Sequence, residues 1–434
     1  MTSRTRTKAW LLRASVVAIA VMCGSAVQAQ TATGAAAGQV AGGTETRAGK
    51  LNLRQVFEAA WARQPEALAL QARRDAVRAQ QSAAKAWTPE PAALELSNKT
   101  DRLGNNQGAR EVEIGVAVPL WLPGERGHSA ALADAQGAAI ESRAIAAQLR
   151  VAATVRDAWW QWQRARIEVG TARDQLENTR RIAADVARRA KAGDLARADQ
   201  HQADGAVASA EASVAQAEAG LAAARQHLRA LAGGTPVASE AGDVGAEADP
   251  GTAAADIEAH AALQELKDRA AVAERTGALT ATQSRANPEL MLATTRDRGA
   301  RGEASQQTIT LAVRIPFGSG PRFDARRANA RAEATEIQAH LALERERLTA
   351  EREAARVRVE AYRTQLAAAE RRAQLARESR GFFDKSFRLG ETDLPTRLRI
   401  EAEATDADRQ AARTRIELAA AISAWRQALG LLPQ

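Results

Sequence analysis

Two stretches with the same layout lie 197 residues apart and decide the fold. Residues 111–126 read EVEIGVAVPLWLPGER, and residues 308–323 read TITLAVRIPFGSGPRF. In both stretches apolar residues recur at every second position up to a proline, Pro119 or Pro316, and a glycine-containing turn follows. A period of two predicts a β-strand with one apolar face. Each stretch therefore predicts a strand that ends in a sharp turn.

The same offset extends to the rest of the chain. Gly193 and Gly390 interrupt long helical patterns, Gly233 and Gly430 end the helices that follow, and each pair is 197 residues apart. The order helix, strand, strand, very long helix, glycine tip, helix occurs twice, which predicts two tandem structural repeats. The predicted repeats are 51–232 and 256–432, joined by a linker at 233–255 that is rich in Gly, Ala and Asp.

Each repeat has two predicted strands around a polar, glycine-containing loop. Arg314 lies opposite the aliphatic positions of its strand, which suits a barrel wall with a wet interior. A soluble hairpin with one buried face fits the strand pattern equally well. The strands are predicted at about 91–103 and 109–119 in the first repeat and about 288–298 and 305–316 in the second.

The helices separate these alternatives. The patterns from about 127 to 192 and from about 323 to 389 contain no proline, and each would reach roughly 100 Å. Helices of that length indicate coiled-coil or repeat packing. The chain reverses at Gly193 and Gly390, so each repeat contains a long helical hairpin. A further helix is predicted from Leu51 to about Ala86, with a break tolerated at Pro65.

The first 29 residues have the pattern of a secretory signal peptide, with a basic start, a short apolar run and a small-x-small cleavage site at Val27–Ala29. The chain's one cysteine, Cys23, lies within it, so cleavage leaves a protein without thiol chemistry. Acylation of Cys23 is the alternative. Residues 30–50 are predicted to be a flexible arm.

Charge favours solvated helices over a nucleic-acid surface. Removal of residues 1–29 leaves 56 basic and 52 acidic residues, and these are interspersed. No nucleic-acid partner is therefore expected. The absence of a long apolar run after residue 29 excludes a helical membrane protein, whereas a β-barrel leaves only a weak hydropathy trace.

No constellation of residues indicates an enzyme, a cofactor or a metal site. The five histidines lack the spacing of a helical metal site and are interpreted as scattered surface residues. Gly318 and its neighbours lack the Lys-Ser/Thr of a nucleotide loop. Trp159, Trp160 and Trp162 are interpreted as helix core in preference to an anchor near a barrel junction. Trp121 directly follows a strand end and is a candidate for an interfacial aromatic belt.

Several motifs together resemble the TolC-like outer-membrane efflux protein family over residues 51–432. The order of these motifs and their constant offset carry the resemblance more than any single motif does. The motifs are the opening helix with 51–53 and 58–60, the strand-to-helix elbows at 118–126 and 315–318, and the hairpin tip at 387–394.

The resemblance implies a mainly α protein with a transmembrane β-barrel. Each protomer of a homotrimer would contribute four strands to a 12-stranded barrel in outer-membrane lipid, and its helical hairpins would form a periplasmic tunnel. The implied function is passive efflux of solutes exported by an inner-membrane pump through a periplasmic adaptor (membrane fusion protein).

The resemblance also suggests functional positions. The hairpin tips would meet the adaptor and contain the gate, where carboxylates favour cations; helix capping is an equal interpretation of these acids. The tip candidates are Gly193, Asp194, Gly390, Glu391 and Asp393, and the elbow candidates are Pro119, Gly124, Pro316 and Gly318. The longer, more charged second tip is the first candidate for the gate.

The elbows and short tips resemble the heavy-metal-exporting branch of the family, which implies metal cations as solutes. The alternative from another class is a soluble or lipid-anchored periplasmic coiled-coil scaffold or adaptor. Recovery without detergent in the soluble periplasm would favour that alternative.

Overall fold

The computed structural model describes residues 52–104, 106–234, 246–251, 256–318 and 320–434. The predicted signal peptide (1–29) and arm (30–50) lie outside the described residues, as does most of the 233–255 linker.

Long helices and four short strands make up the described chain. The helices are α1 (Leu53–Trp61), α2 (Pro65–Ala84), α3 (Glu125–Ala192), α4 (Arg197–Leu231), α5 (Ala261–Thr282), α6 (Pro321–Arg388) and α7 (Leu394–Ala428), and a 3₁₀ turn spans Ile257–Ala259. The strands are β1 (Ala93–Thr100), β2 (Arg110–Pro119), β3 (Glu289–Arg298) and β4 (Gln306–Arg314). The predicted fold class, with long helical hairpins and four strands per chain, is confirmed.

The opening helix is divided in two. Asn52 caps α1 by accepting from the backbone of Gln55, whose side chain accepts in return from the Asn52 backbone. Pro65 then occupies the first turn of α2, where its missing N–H costs nothing. The helix predicted from 51 to about 86, with a break tolerated at Pro65, is present as two helices with a break before Pro65.

The helices form one layer that is four helices wide. α3 packs against α2 and α4, and also against α5 and α7, while α6 packs against α5 and α7. The two longest helices of the layer are α3 and α6, each 68 residues long. At 1.5 Å per residue each is about 100 Å long, which lets two shorter helices lie along it in succession.

The strands form one antiparallel sheet in the order β1-β2-β3-β4. The register pairs Leu94 with Val116, Val116 with Leu292, and Leu292 with Leu311. Because side chains alternate between faces, these four aliphatic residues lie in one row on one face of the sheet. The sheet therefore has an aliphatic face that crosses all four strands.

The largest core lies far from the sheet. Trp159 is buried about 50 Å along α3 from its first residue, and its ring centroid is 5.1 Å from that of Trp162. This position supports the interpretation of the tryptophans as helix core, not as an anchor at the sheet. The cluster joins α1, α3, α4 and α7 and includes Leu53, Val56, Phe57, Trp159, Trp160, Trp162, Leu228 and Ile416.

Candidate functional site: sheet face, elbows and hairpin tips

The aliphatic face of the sheet is exposed in the single chain. Ile309 and Leu311 on β4 are 77% and 70% exposed, and Leu96 on β1 is 70% exposed. A contiguous exposed apolar surface marks a site that meets a membrane or a partner. The exposed aliphatic residues on this face are Leu94, Leu96, Val112, Ile114, Val116, Leu290, Leu292, Ile309, Leu311 and Val313.

The opposite face of the sheet is polar. Lys99 lies 2.8 Å from Glu111 across the β1–β2 pair, and Arg314 lies 3.5 Å from Glu289 across the β3–β4 pair. Alternation of a polar and an apolar face is the pattern of a barrel wall with lipid outside and water inside.

Both outer edges of the sheet lack a partner strand within the described chain. β1 pairs with β2 alone and β4 pairs with β3 alone. Since the four strands alternate in direction, β1 and β4 run antiparallel to each other. The β4 edge of one copy therefore has the right direction to extend the β1 edge of another copy.

Both elbows use a glycine in the left-handed region. Gly124, with φ of +83°, directly precedes α3, and Gly318, with φ of +98°, lies three residues before α6. Other residues adopt this conformation at a cost. Pro119 ends β2, while Pro316 follows β4 by two residues. Neither proline has an N–H to donate to the ladder, and one further bond, from the Leu120 N–H to the Pro288 carbonyl at 2.7 Å, closes the β2 end.

A buried carboxylate holds the first elbow. Glu125, 2% exposed, accepts from the Leu122 backbone N–H at 3.0 Å. It also accepts from the side chains of Gln283 at 2.7 Å and Asn287 at 3.0 Å. The elbow of the first repeat is thereby tied to the segment that leads into β3. Sequence reasoning missed this role, although an acid at the first position of a helix is a usable signal.

Aromatic residues surround the elbows with different exposures. Trp121 is half-buried and donates from Nε1 to the Ala86 carbonyl at 3.2 Å. Trp87 and Phe317 are 95% and 91% exposed. Trp121 thus packs towards the end of α2. The sequence analysis did not single out Trp87 and Phe317 as exposed aromatic residues near the elbows.

The two hairpin tips have the same backbone form. Gly193 and Gly390 have φ of +92° and +80°. The next residue in each tip donates its N–H to a carbonyl of the preceding helix, Asp194 to Arg189 at 2.9 Å and Glu391 to Ser386 at 3.0 Å. This pattern is that of a glycine-terminated helix, which explains the glycine at both positions.

The tip carboxylates differ in role. Asp393 caps α7 by accepting from the Thr396 backbone N–H at 3.2 Å. Hydrogen bonding with Thr396 lowers the pKa of Asp393 below its usual range. Asp194 and Glu391 are exposed. Asp194 does not cap α4, whose N-cap is Ala196 with support from Asp199 at 3.1 Å. The capping interpretation therefore fits Asp393 and not Asp194.

The two hairpins meet just above their tips, around Phe387. The ring of Phe387, in a side chain 1% exposed, lies 4.7 Å from the Arg189 guanidinium and 4.6 Å from that of Arg397. Arg397 also lies 2.5 Å from Asp384 and 3.7 Å from Asp185. Arg397 of α7 therefore links the ends of α6 and α3. The sequence did not identify this cluster, since its members are distant along the chain.

A second charged cluster ties the linker to the middle of the helical layer. Glu247 and Arg156 form a bidentate pair at 2.7 and 2.9 Å, and Arg426 donates to the same carboxylate at 3.3 Å. All three residues are at most 5% exposed. Ser423 also donates to Glu247. The linker thereby joins α3 to α7.

Within the described ranges there is no group of His, Cys, Asp or Glu residues arranged to hold a metal ion. His260 is 7% exposed, so the interpretation of all five histidines as surface residues is wrong for this one. It caps α5 by accepting at Nδ1 from the Ala262 N–H at 3.3 Å.

None of the helices in the described part of the chain is both long and apolar enough to cross a bilayer.

Comparisons with known proteins agree with this geometry. The family model of the outer membrane efflux protein matches residues 56–234. No curated protein is a significant match to the sequence.

Solved structures match over nearly the whole chain. CusC is 15% identical with a TM-score of 0.73, and the match covers 88% of this chain and 92% of CusC. VceC from Vibrio cholerae is 16% identical with a TM-score of 0.67, covering 87% and 96%. CmeC from Campylobacter jejuni is 14% identical with a TM-score of 0.69, covering 87% and 85%.

The structural likeness establishes the fold as that of outer-membrane channel proteins. The family match shows that residues 56–234, less than half of the chain, are similar to outer membrane efflux proteins.

Proposed function

We propose that this protein is the outer-membrane channel of a tripartite efflux system and belongs to the TolC-like family. The observation that carries the proposal is the exposed aliphatic face on a sheet with two open edges, joined to helices about 100 Å long. The sheet would lie in the membrane and the helices would form a tunnel in the periplasm. Solutes would pass through passively.

A homotrimer would give the backbone N–H and C=O groups at the edges of the sheet hydrogen-bond partners. Open strand edges are not tolerated in lipid, because their N–H and C=O groups would have no partner. Joining the β4 edge of each protomer to the β1 edge of the next removes every edge, and three copies give the expected 12 strands. The helical layer closes in the same way, with α6 of one protomer beside α2 and α4 of the next.

The trimeric membrane channel is tested by fractionation and reconstitution. The protein is expected in the outer-membrane fraction, to cross-link as a trimer in detergent and to form channels in planar bilayers. Recovery in the soluble periplasm without detergent, as a monomer without channel activity, would instead support the scaffold alternative.

The hairpin tips are proposed to form the closed end and to meet the periplasmic adaptor, which connects to the inner-membrane pump. Gly193 and Gly390 set the reversals, and Asp194, Glu391 and Asp393 line the tips. Arg397 deepens this proposal, because it joins the second hairpin to Asp185 of the first. The gate would open when these contacts separate.

Arg397→Ala tests the gate. This change removes the contacts with Asp384 and Asp185 and should raise the conductance of reconstituted trimers. Arg399→Ala is the matched control, since Arg399 lies on the same helix in an exposed pair with Glu403. Equal conductance of both variants and the wild type would exclude Arg397 from the gate.

Metal cations are the proposed solutes, on the resemblance of the elbows and tips to the heavy-metal-exporting branch. A conduit needs no tight metal site, because it does not retain what it passes. Deletion of the gene is expected to sensitise cells to divalent metals, and unchanged tolerance to several metals would contradict this substrate class.

A further inference from the structure

A group of arginines closes the aliphatic face at the end far from the helices. Arg110 of β2 pairs directly with Arg298 of β3, and Arg296 pairs with Val112. These positions have the same parity as Val112 and Val116, so all three arginines project on the aliphatic face. We name Arg110, Arg296 and Arg298 the arginine row.

The arginine row is unfavourable for the sheet by itself. Residues that pair directly across antiparallel strands have Cβ atoms about 4.5–5.5 Å apart, and like charges at this separation are destabilising. Arg296 is the diagonal neighbour of Arg110, at about 7–8 Å. Among the described residues, no carboxylate forms an ion pair with any of the three. Three positive charges therefore lie together without a neutralising side chain.

The fold holds one of these guanidinium groups in place. Arg298 donates from Nε and from one terminal nitrogen to the Gly108 carbonyl at 3.3 and 3.2 Å. Its remaining N–H donors are free for another acceptor. Arg110 and Arg296 are exposed. The row therefore presents one oriented guanidinium beside two exposed ones.

The position of the row relative to the aliphatic face identifies the acceptor. From Val118 to Val112 the face extends about 20 Å along β2, and Arg110 is the next residue on that face. The apolar band of a membrane barrel is about 25 Å tall. With the sheet in a bilayer, the arginines lie where hydrocarbon gives way to headgroups. Phosphate is the headgroup anion that guanidinium binds in a bidentate, charge-assisted manner.

We propose that the arginine row binds the phosphate groups of a lipid in the leaflet away from the helices, a phosphorylated glycolipid of the outer surface. The inference rests on the proposed function, which places the sheet in the outer membrane. It adds a specific lipid site to a face that the channel proposal treats as uniformly apolar. The bound phosphate neutralises the like-charge pair and thereby stabilises the β2–β3 pairing.

Native mass spectrometry of delipidated trimers tests the site, with bisphosphorylated lipid A as the probe and lipid A lacking phosphate as the comparison ligand. The wild type should prefer the phosphorylated form. The triple variant R110Q/R296Q/R298Q should bind it at least about tenfold more weakly, since charge-assisted hydrogen bonds are lost. Lys99→Gln is the matched control, because Lys99 lies on the opposite face of the same sheet beside Glu111.

The outcomes separate the two proposals. Two outcomes with conducting trimers would overturn the lipid site and leave the channel proposal intact. In one, the wild type binds both forms of lipid A equally. In the other, the triple variant and Lys99→Gln lose binding equally. Displacement of lipid A by millimolar inorganic phosphate also overturns it, because the row would then be a free-anion site. Wild-type protein that forms neither trimers nor channels contradicts the proposed function, and the lipid site with it.

Discussion

Replacing Glu247 with alanine removes the carboxylate that Arg156 and Arg426 share in the middle of the helical layer. The Glu247 side chain is 0% exposed, and those of Arg156 and Arg426 are 3% and 4% exposed. Without Glu247 both guanidinium groups stay buried, with neutral acceptors such as the Leu431 and Ala248 carbonyls. Removal of one partner from a buried ion pair costs about 3–5 kcal/mol.

The same linker supplies a control. Asp249 pairs with Arg363, and these side chains are 37% and 43% exposed. Exposed pairs contribute about 0–1 kcal/mol. Asp249→Ala should therefore leave the free energy of unfolding nearly unchanged. The loss of unfolding free energy in Glu247→Ala should be several times larger.

Thermal unfolding in detergent, followed by far-UV circular dichroism, measures the difference. Glu247→Ala should lower the Tm by about 5 °C or more, since 1 kcal/mol corresponds to about 2–4 °C in chains of moderate size. The triple variant R156M/E247L/R426M should recover most of the loss, because a buried ion cluster replaced by apolar side chains is often neutral. Equal Tm values for Glu247→Ala and Asp249→Ala would refute the reasoning.

Three further predictions concern Glu125 at the first elbow, His260 at the start of α5 and Gly193 at the first hairpin tip. Glu125→Ala should destabilise the protein by about 1–3 kcal/mol in denaturant unfolding, because Gln283 and Asn287 lose a buried acceptor; Asp324→Ala, an exposed first-turn acid of α6, should change little. Burial is the main effect on His260 and lowers its pKa, and the charge of Arg347 on α6 lowers it further. The Gln427 backbone and the carboxylates of Glu344 and Glu351 raise the pKa, but by less. The unfolded chain therefore binds more protons just below the ordinary pKa of 6.5, so stability should fall as the pH drops through this value. His260→Asn should flatten the pH dependence of Tm, and an unchanged slope would contradict the assignment. Gly193→Ala should cost about 1–2 kcal/mol through its left-handed backbone alone, as no atom lies within 4 Å of the added Cβ; faster protease cleavage at the tip would report it, with Gly205→Ala inside α4 as the control.

Local patterns in the sequence were sufficient for the elements of this fold. Alternation up to Pro119 predicts β2, and the long stretches without proline, from about 127 to 192 and from about 323 to 389, predict the lengths of α3 and α6. Gly193 and Gly390 mark the reversals because few other residues adopt the left-handed conformation that ends these helices. These signals act over a few residues, so they are readable in one dimension.

The contacts between distant segments were not readable in this way. Arg397 contacts Asp185 and Phe387 because the two hairpins lie side by side. No local spacing in the sequence predicts this contact. Glu247 lies in a linker that the sequence describes by composition alone, yet its carboxylate is buried between two helices. The exposure of Trp87 and the burial of His260 likewise depend on neighbours supplied by other elements.

By itself, the sequence determined the repeat, the strands with one aliphatic face, the long helices and the glycine tips, since each is set by periodicity or by the conformational limits of one residue. Tertiary structure decided the order of the strands, the two open edges, the arginine pair at the end of the aliphatic face and the clusters around Glu247 and Arg397. Register and helix packing decide these features, because they fix which side chains meet across the fold.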